Sequence, residues 1–192
     1  MTNRTIRTIS NIAILAGFFC VGVWGWSVLQ RLVYQDRENQ AFDEQLRDAR
    51  PAPPPVQPPA PQSVIGRLLI PRLHLRAMVR EGTDAHTLDV ALGHITGTAL
   101  PGQNGNIAIA GHRDTLFQCL RNVARGDLIL FQTTHGTYTY HVDRIGVVTP
   151  RDVGVLAPGA YSALTLVTCY PFRYVGAAPD RLIVKARLVS TR

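Results

Sequence analysis

Cysteine is scarce. Three in 192 residues, Cys20, Cys119 and Cys169, are too few and too far apart for a disulfide framework or a CxxC metal site. The chain has no GxxxxGK[ST] phosphate loop, no GxGxxG dinucleotide fingerprint, no HExxH zinc motif and no internal repeat. It has no run of Lys or Arg interleaved with aromatics, so the formal charge of +7 is scattered and nucleic acid is not an expected partner. A basic balance of this kind fits an exported protein lying near anionic lipid or envelope polymer. Asp127, Asp143 and Asp152 are dispersed and form no ligand set, so neither a metal nor another cofactor is expected.

Charge is also missing from Thr8 to Gln30, and there the absence is informative. Ile12 to Leu29 is almost wholly apolar, enough for a helix of about 20 residues to cross a bilayer core. Trp24 and Trp26 lie near its far end, where amphipathic rings favour the interface. Arg4 and Arg7 precede it without an acidic residue, whereas Arg31, Asp36, Arg37, Glu38, Asp43 and Glu44 follow it with mixed sign. The expectation is a cytoplasmic stretch at 1–10, a single-pass anchor at 11–30 and an extracytoplasmic remainder. A cleaved signal peptide competes with this reading, but Phe18, Phe19, Val23 and Trp24 offer no small-residue cleavage site.

Residues 31–50 are polar, with Phe42 and Leu46 spaced like one side of a short helix, and read as a solvated juxtamembrane segment. The next stretch, 51–62, holds seven of the thirteen prolines. At about 3.1 Å per residue it reads as a polyproline spacer reaching roughly 35 Å, with a docking ligand for an SH3-like partner as the alternative. A globular domain then fills 63–192. Its pattern is β-rich: Val64 to Ile70, Leu73 to Arg80, Asn106 to Ala110, a hairpin of Asp127 to Thr133 with Gly136 to Val148, Ala163 to Thr168, and Leu182 to Val189. Short helices are expected at Thr83 to Leu92, capped by Thr83 or Asp84, and at Thr115 to Val123. Six to eight strands with few helices make a mainly β fold, a closed barrel or a sandwich.

Within Ser162 to Arg181 the strand ends at Cys169, because Tyr170-Pro171 cannot continue a ladder. His112 follows a strand of small residues, and Arg181 begins the last strand after Ala178-Pro179-Asp180. Taken alone, each is more often a packed thiol, an exposed imidazole or a surface cation. Together, at strand ends that one scaffold can gather, they suit acyl transfer. The thiolate attacks, the imidazole moves protons, and the guanidinium stabilises backbone or oxyanion. Asp114 would face the same side as His112 along an extended chain and is the candidate orienting carboxylate, with Thr168 beside the sulfur as a second supporting candidate. Cys119 lies among Leu116, Phe117 and Leu120 and reads as a packed thiol, although outside the cytoplasm it would be free to pair with Cys169.

Thr165-Leu166-Val167-Thr168-Cys169 resembles the TLxTC signature of sortases, the membrane-anchored cysteine transpeptidases of the bacterial envelope. The resemblance runs from about Val64 to Val189. It includes Gly111-His112-Arg113-Asp114 and Arg181-Leu182-Ile183-Val184, and the Cys-Tyr-Pro and Gly-His-Arg-Asp-Thr runs are most similar to class D and Gram-negative-type members. It implies a closed eight-stranded β-barrel with Cys169 as nucleophile, His112 as general acid and base, and Arg181 as substrate or oxyanion stabiliser. It also implies a protein substrate with a carboxy-terminal Leu-Pro-x-Thr-type sorting signal, a thioester intermediate, and release to an envelope or pilus amine or to water. A non-enzymatic envelope scaffold is one alternative. An L,D-transpeptidase acting on peptidoglycan is another, although its Ser-x-Gly-Cys surroundings are missing here.

Overall fold

The computed structural model describes residues 3–48, 58–159 and 161–192. Most of the proline-rich spacer, residues 51–57, therefore lies outside the described residues.

The first element, α1, is one helix from Asn3 to Asp48. It contains an 18-residue window of mean hydropathy 2.1, none of it buried against the protein, and is long and apolar enough to cross a membrane. The polar stretch that follows differs from the expected solvated segment: it continues the same helix and lies along the domain. Arg31, Gln35, Asn39 and Asp43 recur every fourth residue and so form one stripe. Arg31 Nε donates to the Asp89 carbonyl (2.9 Å), and Gln35 Nε2 donates to the Val90 carbonyl (2.7 Å). Gln35 Oε1 accepts the Met78 amide (3.0 Å), and Asp43 accepts from Arg67 and Arg76 (2.7 Å each). Arg67, only 4% exposed, also reaches Asn39 Oδ1 and Gln132 Oε1, and its guanidinium lies 5.2 Å from the ring centre of Phe42, itself buried. Burying a phenylalanine in this way contributes about 1.5–3 kcal/mol. Tyr34 packs under Arg80, and burial pushes its hydroxyl up to about 12 against the opposing arginine charge.

The domain is a closed barrel of β1 (Val64–Ile70), β2 (Leu75–Glu81), β3 (Leu92–His94), β4 (Asn106–Ala110), β5 (Leu128–Thr133), β6 (Gly136–Val148), β7 (Ala163–Tyr170) and β8 (Asp180–Thr191). The order around it is β1-β2-β3-β4-β7-β8-β6-β5. The pairs β2–β3 and β4–β7 are parallel and the others antiparallel. Period-two alternation fills the interior with Leu68, Ile70, Ala77, Val79, Ile107, Ile109, Ile129, Phe131, Tyr138, Tyr140, Leu164, Leu166, Leu182 and Val184. The expected eight-stranded barrel is the observed one.

The helix between β2 and β3, α2 (Ala85–Val90), is shorter than expected. Asp84 caps it, accepting the Thr87 amide (3.1 Å), and Leu92 belongs instead to the three-residue β3. Because β3 pairs with β2 only at Val79, Arg80 and Glu81, the Met78 amide has no strand partner on that side, and Gln35 of α1 takes it. A second short helix was expected at Thr115 to Val123. It is a 3-10 segment, Leu116–Asn122, whose Phe117 and Leu120 are buried in the core.

Candidate active site

The threonines of Thr165-Leu166-Val167-Thr168-Cys169 have a structural duty. Leu164 and Leu166 point into the barrel, while Thr165 Oγ1 donates to Asn106 Oδ1 and Thr168 Oγ1 to the Gly111 carbonyl (2.7 Å each). Both hydroxyls stitch β7 to β4, one at each end of the parallel pairing that runs from Asn106↔Ala163 to Ala110↔Val167. The Gly111 amide donates to the Val167 carbonyl (3.2 Å) and carries that ladder one residue further. Gly111 must be glycine, since a Cβ there would come within 2.7 Å of both Leu92 and Phe117. The next residue is His112, just past the end of β4, the strand beside β7. Neighbouring strands lie about 4.8 Å apart.

On the other side of β7, Cys169 is paired directly with Arg181 of β8. Residues opposed in an antiparallel ladder have Cα atoms about 4.5–5.5 Å apart. Leu182 and Val184 face the core, so Arg181 lies on the outer face, as Cys169 does by alternation with Leu166 and Thr168. Cys169 and Arg181 therefore come from adjacent strands and share one face, and His112 follows the end of β4 on the other side of β7. Cys169 is a half-buried free thiol.

Arg181 Nη1 donates to the carbonyl of Ala178 (3.2 Å) in the loop before its strand and to that of Asp180 (2.8 Å), the first residue of β8. Its Nη2 and Nε have no protein partner among the described residues, and a substrate carbonyl can take them. Arg113, which the sequence offered only as part of a motif, carries more of the architecture than was legible. Its guanidinium donates to the carbonyls of Pro171 (3.2 Å), Tyr174 (2.7 Å) and Gly176 (3.0 Å), and it lies 5.9 Å from the Tyr174 ring centre. One side chain thus ties the neighbour of His112 to the loop that leaves Cys169 and returns to Arg181. No apolar periodicity marks a residue whose partners are all backbone oxygens.

The structure places another carboxylate beside His112 than the one expected. Asp114 is exposed, and it is Asp89 of α2 whose Oδ1 lies 3.9 Å from His112 Nε2. Cys119 is a half-buried thiol whose Sγ donates to the Leu116 carbonyl (3.4 Å), and burial pushes its ionisation up, which suppresses thiolate. Asp127 accepts from Arg72 and the Ala124 amide, Asp143 pairs with Arg187, and Asp152 accepts from Thr149. Among the described residues no three His, Cys, Asp or Glu side chains gather as a metal site would need.

A sequence model of the sortase domain matches residues 68–189. Sortase D of Bacillus subtilis is 35% identical over 126 residues, 65% of this chain and 64% of that relative's length. Among solved structures, the lid mutant of sortase A from Corynebacterium diphtheriae superposes with a TM-score of 0.63 at 36% identity, covering 68% of this chain and 73% of its own. A Clostridium perfringens sortase D5 transpeptidase gives 0.67 at 26% identity, covering 83% and 98%. With the family model spanning more than half of the sequence and the closed barrel shared, the chain belongs to the sortase family.

Proposed function

We propose that this protein is a cysteine transpeptidase held in a membrane by α1. It would cleave a carboxy-terminal sorting signal of Leu-Pro-x-Thr type and pass the acyl group to an amine or to water. The observation that carries this reading is the pairing of Cys169 with Arg181 across β7 and β8, with His112 just past the end of β4, the strand on the other side of β7.

The Cys169 sulfur attacks the carbonyl of the signal's Thr. The free donors of Arg181 meet the oxygen as it takes on charge, and a preorganised cation there is worth more than one in water. His112, 43% exposed, can give a proton to the departing amine and take one from the incoming nucleophile, and neither step requires it to leave the rim. A thioester on Cys169 links the two halves of the reaction. The apolar window of α1 supports anchoring, and the positive charge of Arg4 and Arg7 before it supports a cytoplasmic amino terminus with the barrel outside.

The test is a purified Cys169→Ala variant with a Leu-Pro-x-Thr reporter peptide. The variant keeps its circular dichroism spectrum and loses cleavage by at least about 10³-fold. Undiminished turnover refutes the assignment.

A further inference from the structure

Asp89 has no place in the reaction as described so far, yet it is the carboxylate nearest His112. Its side chain is 70% exposed, and its one ionic neighbour among the described residues is the His112 ring, at 3.9 Å. That separation is longer than a hydrogen bond and leaves the carboxylate's lone pairs open to a third group. The residue is also held from behind. Arg31 and Gln35 of α1 take the carbonyls of Asp89 and Val90, the two residues that end α2, so the backbone carrying this carboxylate is tied to a second helix. Between α1 and α2 lies a cleft of about 450 Å³ with an apolar wall of Leu29, Val33, Tyr34 and Val90 and a polar side of Arg37, Glu38, His86 and Asp89.

We infer that Asp89 and this cleft form the acceptor subsite, binding a primary ammonium group on a short aliphatic stem. The inference rests on the transpeptidase reading and deepens it. The carboxylate attracts the ammonium, the apolar walls take the stem, and His112 lies within reach of the same nitrogen. The bound ammonium first loses one proton to solvent. The neutral amine's lone pair then attacks the thioester carbonyl, the C–S bond breaks, and the second proton passes through His112 to the Cys169 sulfur. One amide and one thiol result, with no other reactant. Two carboxylates, Asp89 and Glu38, face one guanidinium, Arg37, in the cleft, so its local charge favours a cation although the chain as a whole is basic.

The experiment uses the full chain in detergent, a Leu-Pro-x-Thr peptide and two acceptor probes. N-acetyl-lysine amide is a cation at neutral pH, and hydroxylamine is uncharged. The wild type is first checked by intact mass for an acyl-enzyme on Cys169, and absence of that adduct overturns the transpeptidase reading together with this one. Where the adduct forms, Asp89→Asn raises the lysine-amide concentration needed for half-maximal aminolysis about threefold to fivefold, the worth of an exposed charge pair. Asp89→Lys raises it about tenfold or more, while hydroxylamine shifts less than twofold in either variant. Equal shifts for both probes, or no shift for either, overturn the subsite and leave the transpeptidase standing. A proportional loss of hydrolysis and aminolysis overturns it too, since Asp89 would then act through His112.

Discussion

His94, at the end of β3, and His112, just beyond β4, stand on neighbouring strands in opposite settings. His94 is 2% exposed, with Nδ1 2.6 Å from Glu81 Oε2 and Nε2 3.1 Å from the Ala99 carbonyl and 2.9 Å from Thr98 Oγ1. Thr96 donates to the other oxygen of Glu81 (2.7 Å). Every polar atom of that pair is engaged, and the result is a buried joint between β2, β3 and the following turn. His112 has a single, distant carboxylate among the described residues and keeps 43% of its side chain exposed. Saturation holds a fold together, whereas vacancy lets a ring exchange protons with something that arrives later. A sequence shows two histidines followed by loop residues and cannot separate the cases. The neighbours that decide them come from β2 and α2, which lie earlier in the chain and meet the rings only in the fold.

Substitutions sharpen the contrast. The largest effect belongs to His112→Ala: turnover of the reporter peptide falls about 10²–10⁴-fold with the denaturation midpoint unchanged, and a variant as active as wild type would remove His112 from the chemistry. His94→Ala has the reverse profile. It leaves the Glu81 carboxylate buried with only the Thr96 hydroxyl and costs about 3 kcal/mol by urea unfolding, while the surviving folded fraction keeps its activity. Equal stability losses from the two variants would erase the distinction.

Arg113 lies between these extremes, because it is structural in its bonds and close to the site in its place. A lysine at 113 cannot reach three carbonyls in one plane, so Arg113→Lys releases about 1–2 kcal/mol of loop ordering. Amide exchange across 171–176 then rises about tenfold, and KM rises more than kcat falls. An unchanged exchange rate would show that the clamp is unnecessary.

The smallest effect is far from the rim. Hydrogen bonding from Arg72, helped by the Ala124 amide and opposed by burial, holds the Asp127 carboxyl below the usual carboxylate range. A folded-state depression contributes stability above the unfolded pKa, near 3.9, that is lost as pH falls through the folded value. The gap between wild type and Asp127→Asn, about 1 kcal/mol at pH 7, therefore begins to narrow as pH falls towards the unfolded value and closes once pH has passed below the lowered folded one. A gap that is flat across that range would mean the pairing does not exist in solution.

Much of the barrel could be read in advance because alternation along β1, β4, β5 and β6 is carried by side chains that are apolar on one face. β3 was hidden, since three residues after a helical stretch leave no period to count. The docking of α1 was hidden for a different reason. Its contact stripe of Arg31, Gln35, Asn39 and Asp43 is polar, and a search for buried faces looks for the opposite. That Cys169, His112 and Arg181 lie near strand ends was legible because strand ends can be located from sequence. Asp89 was not, because it reaches the site from a helix whose position only the closed barrel fixes.

The pairing of Cys169 with Arg181 limits how the gene can change length. Adding or deleting one residue inside β7 or β8 would turn one of the two from the outer surface to the interior, and no neighbouring substitution could turn it back. Natural variation in length should therefore gather in connections away from that pair and be sparing at 171–179, where Arg113 holds three carbonyls at a fixed spacing.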